Sequence, residues 1–112
     1  MGTLGPLAPD ARRVRVVCLG SDAQSWRVVG EDGTALCEVM LSISVRARDN
    51  RYHILTPDEP PGLLGPRHLH DDTFARGSPW WTPAVLRAAL DMIVRKHVAP
   101  AAVVTFEGVP PG

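Results

Sequence analysis

The chain has 112 residues, of which 45% are hydrophobic and 21% charged, a balance that supports one buried core and argues against disorder. Twelve basic residues face twelve acidic ones, so net charge cannot draw in nucleic acid or anionic lipid, and any such attraction must come from local segregation. The longest apolar run is far shorter than the roughly 18 residues needed to span a bilayer, and the N-terminus lacks a basic segment followed by an apolar one. A single α+β domain in the cytoplasm is the expectation.

Lys96 is the only lysine among the twelve cations, a bias that fits a GC-rich bacterial genome better than selection for guanidinium chemistry. Cys18 and Cys37 are too few for a disulfide scaffold and lack CxxC spacing, so both read as free structural thiols. Prolines and glycines concentrate in 1–10, 57–83 and 99–112. The ordered elements are expected between them.

Residues 1–12 read as a flexible arm ahead of a single domain over 13–107. From Arg13, RVRVVCL is a β-branched strand, and SWRVVG is a second that closes on Glu31-Asp32-Gly33-Thr34. Asp-Gly is a strong hairpin signal, and with Asp32 and Gly33 central it sets Val28 opposite Cys37, Arg27 opposite Glu38 and Trp26 opposite Val39. The third strand then alternates with period two from Thr34 to Arg48. Because that is long for a strand, a bulge or bend is expected near Met40 to Ser42. A reversal at Asp49-Asn50 sets Ala47 opposite Tyr52, Arg46 opposite His53 and Val45 opposite Ile54. The product is a four-strand antiparallel meander packed on one C-terminal helix.

Residues 57–81 show neither strand nor helix periodicity and read as a long Pro/Gly-rich loop. Thr82 and Pro83 then open a helix over 82–98, with Val85, Leu86, Ala89, Met92 and Ile93 as its apolar stripe and Arg95, Lys96 and His97 suited to its C-terminal dipole. Within the tail, AAVVTFEG is a candidate fifth, edge strand, and 108–112 read as flexible.

The alternation assigns one sheet face to the core, including Trp26, Cys37 and Tyr52. The opposite face collects Arg13, Arg15, Arg27, Arg46, Arg48, Arg51 and His53 against a single acid, Glu38, together with Val17, Leu19, Val29, Leu36, Met40 and Leu55. So much apolar surface needs a cover: Trp80-Trp81 and Leu63-Leu64 from the loop, a second copy of the chain, or another protein. Arg27, Arg46, Arg48, Arg51, His53, Trp80 and Trp81 are the candidate binding residues, tryptophan being a favoured interface anchor.

For chemistry, His68-Leu69-His70-Asp71-Asp72 puts two imidazoles at alternate positions beside carboxylates, a pattern that can seat zinc. Over six residues it resembles the HxHxDH signature of the metallo-β-lactamase family. It departs from that signature at Thr73, where the last histidine belongs, and the chain is too short for that two-sheet fold. No GxSxG elbow, Walker A loop or GxGxxG occurs, and Ser42 and Ser44 read as outward strand positions with no base assigned beside them. No cofactor is expected. The leading expectation is a non-enzymatic module that binds a protein partner or itself through the outer sheet face and the 57–81 loop. A nucleic-acid-binding accessory protein using the arginine-rich face is the alternative, and a small metal-dependent enzyme the second.

Overall fold

A computed structural model describes residues 5–19, 25–42, 51–57, 67–73 and 83–108. Six strands and one helix follow in the order β1 (Arg13–Cys18), β2 (Ser25–Gly30), β3 (Ala35–Ser42), β4 (Arg51–Leu55), β5 (His68–Thr73), α1 (Pro83–His97) and β6 (Val103–Glu107). They form one sheet in the order β5-β4-β3-β2-β1-β6. The α+β class holds, but the sheet is mixed and six-stranded, not a four-strand meander.

Its mixed character has a simple cause. Four antiparallel steps leave β5 running the same way as β1, and a single helix returns the chain to the start of the sheet, so the last strand can only run parallel to the first. Accordingly β6 pairs parallel with β1, Val14 beside Val104 and Val16 beside Phe106. The edge strand expected in AAVVTFEG is there.

The first hairpin keeps the expected register, with Val28 opposite Cys37, Arg27 opposite Glu38 and Trp26 opposite Val39. Its turn differs. Gly33 N donates to Gly30 O at 3.1 Å and Gly30 N to Thr34 O at 2.9 Å, so Glu31 and Asp32 are the central residues, and Gly33 takes positive φ, +85°. Asp32 locks this turn by accepting from Thr34 N at 3.0 Å, an Asx contact. The larger loop is absorbed by a bulge: Val29 pairs with Ala35, Val28 with Cys37, and Leu36 is the extra residue. The bulge therefore sits at Leu36 and not near Met40 to Ser42. It also turns Leu36 onto the core, removing it from the outer face to which alternation assigned it.

Between β3 and β4 the register is six residues away from the expected one. Leu41 faces Tyr52, Met40 faces His53 and Ser42 faces Arg51, whereas the Asp49-Asn50 reversal predicted Ala47 opposite Tyr52. Because six is even, each side chain keeps its face, and Tyr52 and Ile54 are buried as expected. Ile43, Val45, Arg46, Ala47 and Arg48 lie outside the described residues.

The segment read as aperiodic contains β5. It pairs antiparallel with β4, Ile54 facing His70 and His53 facing Asp71. Thr56 and Arg67 close the connection, with Thr56 N donating to Arg67 O at 2.9 Å and Arg67 N to Thr56 Oγ1 at 2.8 Å.

α1 covers one face of the sheet, burying Leu86, Leu90, Ile93, Val94 and His97 against Val14, Val16, Trp26, Val28, Val39, Leu41, Tyr52 and Ile54. Each large apolar side chain so buried contributes about 1.5–3 kcal/mol of transfer free energy. The buried stripe is rotated from the expected one: Leu90 and Val94 are fully inside and Met92 is 44% exposed. Arg95 Nε meets Asp91 Oδ2 at 3.0 Å on the wet side, an i, i+4 pair. Leu7 N and Ala8 N donate to the carbonyls of His97 and Val98, tying the N-terminal segment to the end of the helix, while Pro100 prevents its continuation.

Candidate functional site

Three strands bring polar side chains together on the face that α1 does not cover. At the end of β3, Ser42 Oγ lies 3.1 Å from His53 Nε2 on β4. His53 Nδ1 in turn lies 3.2 Å from His68 Nε2 on β5, and the two rings stand 5.1 Å apart between centroids. Ser42 and His68 are exposed and His53 is half-buried. Burial and the neighbouring His68 hold the His53 imidazole below its usual value of 6.5, against the opposing pull of Asp71.

Directly beside this row, Arg51 and Asp71 form an ion pair across β4 and β5 at 2.5 Å. The hydrogen bond from Arg51, followed by its charge and the nearby imidazoles, keeps the Asp71 carboxyl below the usual carboxylate range. Farther along the same face, Arg27 meets Glu38 at 2.9 Å and Arg15 meets Glu107 at 2.9 Å. The face expected to be positive, with Glu38 as its single acid, therefore carries Asp71 and Glu107 as well, and each of these three acids holds one arginine. A groove of about 510 Å³ opens at the β1, β2 and β6 corner, lined by Arg13, Arg15, Glu31, Val103 and Thr105 among others.

The bulge in β5 decides the fate of the HLHDD motif. His68 pairs with Leu55 and His70 with Ile54, so Leu69 is an extra residue and the two histidines leave opposite faces of the sheet. His68 joins His53 outside. His70 points inward, its ring 4.4 Å from that of His97 and 6.1 Å from that of Tyr52. The premise that these alternate positions point the same way, on which the alternative of a zinc site rested, fails for this reason. Among the described residues, no group of three or more His, Cys, Asp or Glu side chains is arranged to hold a metal ion.

On the inner side, His97 is 1% exposed and its Nε2 lies 2.8 Å from the Tyr52 hydroxyl. His97 stands in the last helical turn as the sequence predicts, and its ring is buried there as a polar contact between that turn and β4. Desolvation, and secondarily Asp72, raise the Tyr52 phenol above its usual value.

Of the residues singled out for binding, Arg27, Arg51 and His53 lie on the outer face as expected, while Arg46, Arg48, Trp80 and Trp81 fall outside the described residues. Ser42 and His68 were missed as partners of His53. Their contact depends on the β3–β4 register and on the bulge at Leu69, and neither leaves a mark in local sequence. Among the described residues, no helix is long and apolar enough to cross a membrane. No protein-family model, curated protein or solved structure matches the chain.

Proposed function

We propose that the protein is an interaction module that docks a protein partner, a second copy of the chain being the simplest, on the outer face of its sheet. The observation that carries this reading is the asymmetry of the two faces. One is closed by α1, whereas the other presents Met40 at 43% exposure and, at its margin, Leu19 at 42%, among arginines already engaged by carboxylates. Internally paired charges beside exposed apolar side chains suit a protein surface of mixed character. They suit a phosphate backbone less, because phosphate contacts would compete with Glu38, Asp71 and Glu107 for the same guanidinium groups.

The buried positions of Trp26 and Tyr52 support the same choice, since a single-strand reader stacks bases on outward aromatic rings. Three ion pairs spread over β1 to β6 give the face a pattern of alternating charge that a partner can match in one register.

The test compares Met40→Glu on the outer face with Met92→Glu on the solvent side of α1. Both positions are exposed, so both variants should melt within a few degrees of the wild type. Sedimentation velocity across a concentration series reads self-association, and affinity capture from the native host reads other partners. Whatever the wild type binds should be kept by Met92→Glu and lost by Met40→Glu. Equal retention by Met40→Glu, or a wild type that binds neither itself nor another protein, contradicts the proposal.

A further inference from the structure

The row of Ser42, His53 and His68 has the connectivity of an activated hydroxyl. A serine is a weak nucleophile until a base within hydrogen-bond reach can take its proton, and the base works best when a third group fixes its tautomer. Both distances are in that range, 3.1 Å from Ser42 Oγ to His53 Nε2 and 3.2 Å from His53 Nδ1 to His68 Nε2. For His53 Nε2 to accept the hydroxyl proton, the ring must carry its own proton on Nδ1 and donate it to His68 Nε2, which leaves His68 protonated on Nδ1. With both rings neutral the row is satisfied with Ser42 donating, as activation requires, or with both hydrogen bonds reversed.

We propose that Ser42 is an acyl-accepting nucleophile, with His53 as its general base and His68 as the positioning residue, and that its substrates are small activated carboxylic esters. The substrate class follows from the surroundings. Ser42 is exposed at the end of a strand, which favours selection by the reactivity of the ester. Its cross-strand neighbour Arg51 is the cation placed nearest in register among the described residues, and Asp71 already engages that guanidinium. Stabilisation of a developing oxyanion is correspondingly modest, which favours esters with a good leaving group.

In the first step, Ser42 Oγ attacks the carbonyl carbon and forms a C–O bond while its proton passes to His53 Nε2. The bond to the leaving oxygen then breaks, His53 returns the proton to that oxygen, and an alcohol departs from acyl-Ser42. In the second step, a water molecule gives a proton to His53 and attacks the acyl carbon. Ser42 recovers that proton as the carboxylic acid leaves.

The experiment treats the full-length wild type with p-nitrophenyl acetate and locates the acetyl group by peptide mass spectrometry while p-nitrophenolate release is followed. Lys96 is the single lysine in the chain, so competing acetylation falls mainly on that amine, the N-terminus and the free thiols Cys18 and Cys37, which peptide mapping separates from Ser42. Ser42 should be acetylated at least about 100-fold faster in the folded protein than in urea, and His53→Gln should remove at least about 100-fold of that rate. Ser42→Ala should carry no label on its β3 peptide. His68→Gln should still be acetylated, with the midpoint of its rate–pH profile moved upward, because His68 is among the groups that hold the His53 value down. Ser42→Cys supplies a second readout: its alkylation by iodoacetamide should follow the same midpoint. Acetylation of Ser42 no faster than in urea, an unchanged rate in His53→Gln, or label found only on groups other than Ser42 overturns the proposal. An unmoved midpoint in His68→Gln removes His68 from it.

Discussion

Replacing Tyr52 by phenylalanine isolates the contact that ties the last turn of α1 to the middle of the sheet. The ring stays and only the hydroxyl leaves, so little packing is lost. That hydroxyl sits 2.8 Å from His97 Nε2, and both residues are 1% exposed, so water cannot take its place. Removing one partner of a buried hydrogen bond costs about 1–3 kcal/mol, more than the roughly 1 kcal/mol net value of an average hydrogen bond, because the remaining group stays desolvated. For a domain whose whole stability is about 5–15 kcal/mol, that is a large fraction, and it corresponds to a fall in Tm of roughly 4–8 °C per kcal/mol. Urea titration of four proteins, wild type, Tyr52→Phe, His97→Phe and the double variant, gives the coupling between the two side chains. A coupling of about 0.5–3 kcal/mol is expected for groups in contact. If Tyr52→Phe costs the same whether His97 is present or not, the hydroxyl and the imidazole do not meet, and the seating of α1 on β4 is wrong.

Gly33→Ala should cost about 1 kcal/mol by thermal melting, since φ is +85° and an added Cβ meets nothing within 4 Å, so the penalty is backbone strain alone. Gly108→Ala should cost more, because φ is +80° there and its Cβ would stand 3.0 Å from Cys18 Cβ; equal costs would contradict the packing of that turn. Both thiols are free, and burial pushes Cys37 up to about 12, leaving roughly one part in ten thousand as thiolate at pH 8. Ellman titration should therefore find Cys37 silent until the protein unfolds, and two thiols per chain in denaturant; a fast-reacting Cys37 would place it outside the core. The folded His53 lies below its unfolded value near 6.5, so its neutral form is favoured by folding. Its contribution is complete above that pH and is lost as pH falls from 6.5 through the folded value. Asp71, lowered from 3.8, adds a second loss at more acid pH as it protonates. Urea midpoints from pH 8 to 3 should decline in two stages, the upper one weakened in His53→Gln; an upper stage unchanged by that substitution would remove His53 from it.

Legibility in the sequence followed the range of the interaction that decides each feature. The pairing of Trp26 with Val39 and Arg27 with Glu38 could be read because two short strands flank one local turn, and an error in the turn was offset by the bulge at Leu36. The pairing of β4 could not, since Asp49-Asn50 mimics a tight turn and continued alternation beyond Ser42 rewards a register shifted by an even number of residues as much as the true one. Face assignment survived that error and register did not. β5 was hidden because HLHDDT is polar and its alternation is interrupted at Leu69. Nothing local reveals that β6 pairs with β1, because that pairing depends on the direction in which α1 returns the chain. The candidate site suffered most: His53 was legible as an outward residue, but its neighbours come from strands whose register is set over a distance.

The registers of β3, β4 and β5 align Ser42, His53 and His68, and nuclear Overhauser contacts between backbone protons across the three strands test them most directly. Contacts from Leu41 to Tyr52 and from Ile54 to His70 are predicted, matching the pairings that place the two imidazoles on one face and His70 on the other. Contacts from Ala47 to Tyr52 and from Val45 to Ile54 would contradict them, by showing the six-residue shift that carries Ser42 away from His53.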